Sequence, residues 1–155
     1  QTPNCWWQGE TCRWLEDFRS RYIALYGSAP RIDALGGHCY GAIHPSYDSL
    51  VACREMIGYL DGIKQAWSID GGHWINEFGP YMFVPQNEIN RQLRETVLYL
   101  DGHKTVARYA VWTLRSVNWE PMNTMQCLGT ELEDYGTIYR DTKAHTVYFP
   151  LMGWR

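Results

Sequence analysis

Apolar positions along the chain switch between a helical and a strand-like spacing. In residues 11–26, TCRWLEDFRSRYIALY, Trp14, Phe18, Tyr22 and Leu25 recur at helical spacing. Thr11 is a fair N-cap, and Gly27 stops the run. Residues 32–35 form a short apolar segment suited to a buried strand, and Gly36, Gly37 and Gly41 mark its end. A second helix fits 46–66, with Ser46 or Asp48 as cap and Leu50, Cys53, Ile57 and Leu60 as its stripe. Gly58 and Gly62 weaken that helix and leave its end open. After a Gly71-Gly72 turn, HWINEF reads as a second strand over 73–77. A third helix fits 87–101, capped by Asn87, with Ile89, Leu93, Val97 and Leu100 facing inward and Gly102 ending it. Residues 106–114, VARYAVWTL, make a third buried strand, with 106–112 as its sheet-forming part. A long loop follows, and the tail from Cys127 to Arg155 fits helix or strand.

Helix, strand, helix, strand, helix, strand is the order of an α/β fold, with parallel strands joined by crossover helices. The 155 residues suffice for one domain with a real core. A charged fraction of 20% against 45% hydrophobic residues places the chain in the soluble globular class rather than the disordered one. The net charge of −3 includes no Lys/Arg cluster to neutralise phosphates, which argues against nucleic acid as a partner. No apolar run approaches the ~20 residues of a membrane helix. No G-x-G-x-x-G or Walker motif follows a strand, so a nucleotide cofactor is not expected.

Five cysteines, Cys5, Cys12, Cys39, Cys53 and Cys127, show no zinc spacing, so no metal is expected either. The pair in NCWWQGETC is a candidate disulfide around Gly9; an odd count leaves at least one thiol free. The chain opens on Gln1, which suggests processing or a piece of something longer.

Eight Trp and eleven Tyr fit either an aromatic core or a sugar-binding cleft, because flat apolar rings with polar tips suit pyranose faces. The strand ends bear on this choice. In parallel α/β architectures chemistry sits at the C-terminal ends of strands. Those ends carry His38 and Tyr40, then Asn76 and Glu77, then Trp112 and Arg115. Glu77 is the conspicuous one, a carboxylate in the aromatic run HWINEFG, where an unpaired buried charge is costly. Its structural explanation is an ion pair with Arg108 or Arg115. Likewise His38 has the plain reading of a core histidine satisfying a carbonyl, and Trp112 that of a core aromatic.

Taken together, RIDALGGHCYG, HWINEFG and ARYAVW resemble the sixth, seventh and eighth strands of a retaining (β/α)8-barrel (TIM-barrel) glycoside hydrolase. They look most like the glycosyl hydrolase catalytic-core group that includes β-1,3-glucanase-like proteins. HWINEFG is the specific motif, and the resemblance covers roughly residues 12–140. In the eighth strand the group more often has its aromatic pair one residue earlier. The resemblance implies the C-terminal half of such a barrel over 1–155, with Glu77 as nucleophile. His38 or Tyr40 would hold it ionised, Asn76 would lie at the substrate, and Trp112 would be the platform under the sugar.

The group's acid/base Glu belongs to an Asn-Glu pair on the fourth strand, which would lie before Gln1. A barrel needs about 200 residues or more. Glu120, in Asn118-Trp119-Glu120-Pro121, has the wrong spelling and place for that role and reads as a rim residue.

The expected function is therefore a secreted or cell-wall glycosidase acting on a polysaccharide, with a missing N-terminal half or second chain as partner. One alternative is a non-catalytic carbohydrate-binding or structural protein derived from such a barrel. Another is a self-contained small α/β domain with a structural Glu77, which would leave unpaired sheet edges.

Overall fold

The computed structural model describes residues 14–41, 48–79 and 85–111, together with 137, 141 and 142. Its elements are α1 (Trp14–Tyr26), β1 (Leu35–Tyr40), α2 (Ser49–Trp67), β2 (His73–Gly79), α3 (Gln86–Gly102) and β3 (Val106–Val111). The strands form one parallel sheet in the order β1-β2-β3, so each crossover contains a helix. No described helix is long and apolar enough to cross a membrane.

The helical stripes account for the core. Cys53, Ile57 and Leu60 on α2 are buried as their spacing predicts, joined by Ala52, Met56 and Ile63, while Leu50 is only half-buried. Ile89, Leu93, Val97 and Leu100 of α3 meet them, together with Ile75 and Phe78 of β2. Each such side chain contributes roughly 1.5–3 kcal/mol on burial. Ser49 and Thr96 close the polar gap between α2 and α3 with a buried hydroxyl–hydroxyl hydrogen bond of 2.9 Å.

Caps and turns set the boundaries. Asp48 caps α2, its Oδ1 accepting from Val51 N–H at 3.0 Å. The helix ends where Ser68 adopts a left-handed conformation with φ of 55°. Lys64 then holds the turn, its Nζ donating to the carbonyls of Ile69, Asp70 and Gly71 at 2.6, 2.9 and 2.7 Å. Asn87 is not the cap of α3. The helix starts at Gln86, behind Pro85, and has no side-chain cap hydrogen bond. Pro85 fills the role because its restricted φ, −55° here, suits a helix entry.

Other expectations fail for tertiary reasons. β3 is not a buried strand: each of its positions is half-buried or exposed. β2 runs on to Gly79 rather than ending at Glu77. The first strand spans 35–40 rather than 32–35, so Gly36 and Gly37 lie inside it. They are there for clearance: a Cβ on Gly37 would sit 2.8 Å from Met56 Sδ, and one on Gly36 would sit 3.0 Å from Asn76 Nδ2. The aromatic stripe of α1 is not its buried face. Trp14, Phe18 and Leu25 are exposed, and Leu15 is the buried residue of the helix. Trp14, Phe18, Tyr22 and Tyr26 instead pack along their own helix, with successive ring centroids 5.4, 5.9 and 4.5 Å apart. The side facing α2 carries Glu16, which accepts from Tyr59 OH at 3.1 Å, and Arg19, which lies over the Trp67 ring.

Candidate active site

A strand with a strict period of two would put residues 75, 77 and 79 on one face. Glu77 would then lie in the hydrophobic core beside Ile75. The structure avoids this with a bulge. Gly37 pairs with Ile75 but His38 pairs with Glu77, and on the other side Ile75 pairs with Tyr109 but Phe78 with Val111. β2 therefore carries one extra residue relative to both neighbours, at Asn76 and Glu77. Ile75 and Phe78 both remain buried in the core, while Asn76 is exposed and Glu77 half-buried. The bulge is what takes the carboxylate out of the core.

β1 presents the complementary groups. Leu35, Gly37 and Cys39 are its buried positions; Gly36, His38 and Tyr40 alternate with them and face the other way. Tyr40 OH donates to Glu77 Oε2. His38 Nδ1 lies 3.3 Å from the same oxygen, with side-chain exposures of 7% for His38 and 28% for Glu77. The two rings meet edge to face, 6.4 Å apart. Both contacts fall on Oε2; among the described residues none is made to Oε1.

Burial pushes the Tyr40 phenol well above the ordinary tyrosine value, and the hydrogen bond to Glu77 and that carboxylate's charge push it further. Tyr40 therefore stays protonated, a hydrogen-bond donor, across the neutral range.

The same face carries Trp74, 41% exposed, with the Arg108 guanidinium 4.7 Å from its ring centroid. Arg108 is thus occupied by an aromatic ring, and Glu77 is held by His38 and Tyr40 rather than by the Arg108 ion pair considered from sequence. Asn76 stands beside Gly36, whose missing side chain leaves it room. Trp112, Arg115 and Glu120 lie outside the described residues, as do Cys5, Cys12 and Cys127.

One covalent feature was not legible in the spacing: Cys39 and Cys53 form a disulfide. The available signal was that Cys53 lies on the apolar stripe of the helix following Cys39's strand.

At the other end of the sheet, the loops leading into β1 and β2 enclose a cavity of about 390 Å³ lined by Arg19, Arg31, Asp33, Trp67 and Asp70 among others. Its lining includes none of His38, Tyr40, Asn76 and Glu77. Among the described residues no group of three or more His, Cys, Asp or Glu could hold a metal ion.

A hydrogen-bonded carboxylate at a strand end, one oxygen fixed and the other uncommitted within the described residues, has the geometry of a carboxylate nucleophile or of a polar anchor for a hydroxylated ligand. Comparison with known proteins bears on that choice. The model of the family described as glycosyl hydrolase catalytic core matches residues 1–139. No curated protein sequence matches the chain.

Among solved structures, an endo-β-1,3-glucanase from Pseudomonas viridiflava is similar with a TM-score of 0.64 and 22% identity, over 84% of this chain and 48% of that one. An endo-β-1,3-glucanase from Amycolatopsis mediterranei in complex with laminaritriose is similar with a TM-score of 0.58 and 23% identity, over 83% and 52%. An oligosaccharide-binding protein from Cryptococcus neoformans reaches a TM-score of 0.56 at 17% identity, over 84% and 49%. The chain thus spans about half the length of the structures it matches. At these identities the likeness is one of fold, that of a partial (β/α)8 barrel.

Proposed function

The chain belongs to the glycosyl hydrolase catalytic core family, and from that premise we propose that it carries the nucleophile half of a retaining β-glucanase site. The observation that supports this reading is the convergence of Tyr40 and His38 on one oxygen of Glu77. In retaining hydrolysis a carboxylate attacks the anomeric carbon while a second carboxylic acid protonates the leaving oxygen, the two standing about 5–5.5 Å apart. With Oε2 held, Oε1 is the attacking oxygen. Tyr40, kept protonated, orients the carboxylate and does not compete with it as a base. Asn76 and Trp112 contact the sugar, Trp112 as a stacking platform. The acid/base carboxylate comes from the remainder of the barrel, in the same polypeptide or in a second chain. The similarity to two endo-β-1,3-glucanases favours β-1,3-glucan as the substrate class. Secretion or a cell-wall location fits a polysaccharide substrate and the Cys39–Cys53 disulfide.

A second reading, carbohydrate binding without hydrolysis, draws on the likeness to the oligosaccharide-binding protein. The two separate in one experiment on the complete barrel. Treatment with a 2-deoxy-2-fluoro glucoside followed by peptide mapping should label Glu77. Glu77→Gln should abolish turnover while laminari-oligosaccharide binding survives, and Trp112→Ala should weaken that binding. A label on another residue, or near-normal turnover by Glu77→Gln, would overturn the nucleophile assignment. Binding with neither labelling nor turnover would favour the second reading.

A further inference from the structure

Cys39 sits between the two residues that hold Glu77. His38 and Tyr40 face the carboxylate, and Cys39, one position from each, points to the opposite side and is bonded to Cys53 of α2. Both cysteines are buried. β1 pairs with β2 from Leu35 to Tyr40. Its C-terminal end is held by ladder hydrogen bonds, the last of them from Gly41 N–H to Gly79 O at 3.2 Å, and by packing against α2. Strand ends of this kind fray when held only by hydrogen bonds. The disulfide fastens the end to the helix layer at the residue between the two donors. It also closes the segment from β1 to α2 at its base, with a sequence separation of 14.

We propose that Cys39 and Cys53 are positioning residues for Glu77: their bond holds the end of β1 in register so that Tyr40 and His38 stay on Oε2. The inference rests on the nucleophile reading only for its kinetic consequence; the positional consequence stands on geometry. Reduction by a small dithiol converts the bond to two thiols, with the reagent leaving as its own cyclic disulfide. The end of β1 is then held by hydrogen bonds and packing alone. Opening the bond should release Tyr40 from Glu77 without unfolding the sheet, since the other members of the core that the two cysteines share, Ile75, Phe78, Leu60 and Leu93 among them, stay packed against one another.

The test uses full-length protein labelled with ζ-¹³C tyrosine, with the Tyr40 signal identified by its loss in Tyr40→Phe. In the oxidised protein the signal should not titrate at the ordinary tyrosine value of about 10. After reduction, or in Cys39→Ala/Cys53→Ala, it should titrate at a lower pH than in the oxidised protein while the Ile75 and Phe78 amides remain protected from exchange. Reoxidation of the reduced wild type should restore the first behaviour. In the complete barrel, kcat should fall about ten- to a hundredfold on opening the bond, with KM within about twofold. A Tyr40 signal unchanged by opening the bond, or released only as the Ile75 amide loses protection, would overturn the proposal. If Tyr40 is released but the oxidised barrel hydrolyses no glucan, the positioning role stands and the nucleophile reading fails.

Discussion

Tyr40 and Glu77 come from adjacent parallel strands but do not stand opposite each other. Tyr40 pairs with Gly79, and its hydroxyl reaches back along the sheet to Glu77 Oε2, while His38 is the true cross-strand partner of Glu77. The carboxylate is therefore held once from directly opposite and once diagonally. Such a grip restricts its rotation more than a single contact would. Tyr40→Phe keeps the ring and removes the diagonal donor. It should lower kcat for β-1,3-gluco-oligosaccharides about ten- to a hundredfold in the complete barrel, with little change in melting temperature. Unchanged kcat would show that His38 alone suffices.

Alkaline stability should depend on Tyr59. Burial, then the Glu16 charge and hydrogen bond, push its phenol up to about 12. In the unfolded chain a tyrosine ionises near 10. Above that value the unfolded state has lost protons that the folded state keeps, so stability falls as pH rises from about 10 toward 12. Tyr59→Phe should flatten this fall while leaving the neutral-pH slope unchanged. Urea midpoints measured on both sides of about pH 10 provide the comparison; parallel curves for wild type and variant would refute it.

Acid stability should depend on Asp61. Burial alone would raise its carboxyl, but hydrogen bonds from His73, at 2.7 Å, and Thr105, with the charges of His73 and His103, hold it below the ordinary range. A depressed carboxyl contributes stability that is present above its unfolded value, about 3.9, and lost as pH falls through the folded value. Asp61→Asn should be less stable than wild type at pH 6 and should lose less on going to about pH 3. An equal loss in both proteins would remove Asp61 from the account.

The glycines divide into two classes that substitution distinguishes. Gly58 lies on the exposed side of α2 with nothing within 4 Å of a built Cβ. Gly58→Ala should stabilise by about 0.5–1 kcal/mol through helix propensity. A Cβ on Gly71 would lie 1.6 Å from the Asp33 carbonyl oxygen, where backbone meets backbone and no rotamer change relieves it. Gly71→Ala should destabilise by several times the ~1 kcal/mol of an ordinary substitution. Thermal melts of both variants are sufficient, and a tolerated Gly71→Ala would mean that the two loops separate at little cost.

The sequence by itself determined the alternation of helices and strands, the buried stripes of α2 and α3, and the presence of His38, Tyr40, Asn76 and Glu77 in the C-terminal halves of two adjacent strands. These are local properties. Periods of 3.6 and two show which side of an element is apolar, and Gly or Asp marks where it stops. The tertiary structure decided what those periods cannot carry. A bulge at Asn76 and Glu77 turns the carboxylate out of the core, yet a one-residue offset leaves no mark in composition; it exists only against the registers of β1 and β3. Gly36 and Gly37 read as a strand end because their function, clearance for Asn76 and Met56, involves residues from other elements. The aromatic stripe of α1 looked like a core face because periodicity identifies a face without identifying what covers it. The Cys39–Cys53 bond needed the distance between a strand and the next helix, which only packing sets.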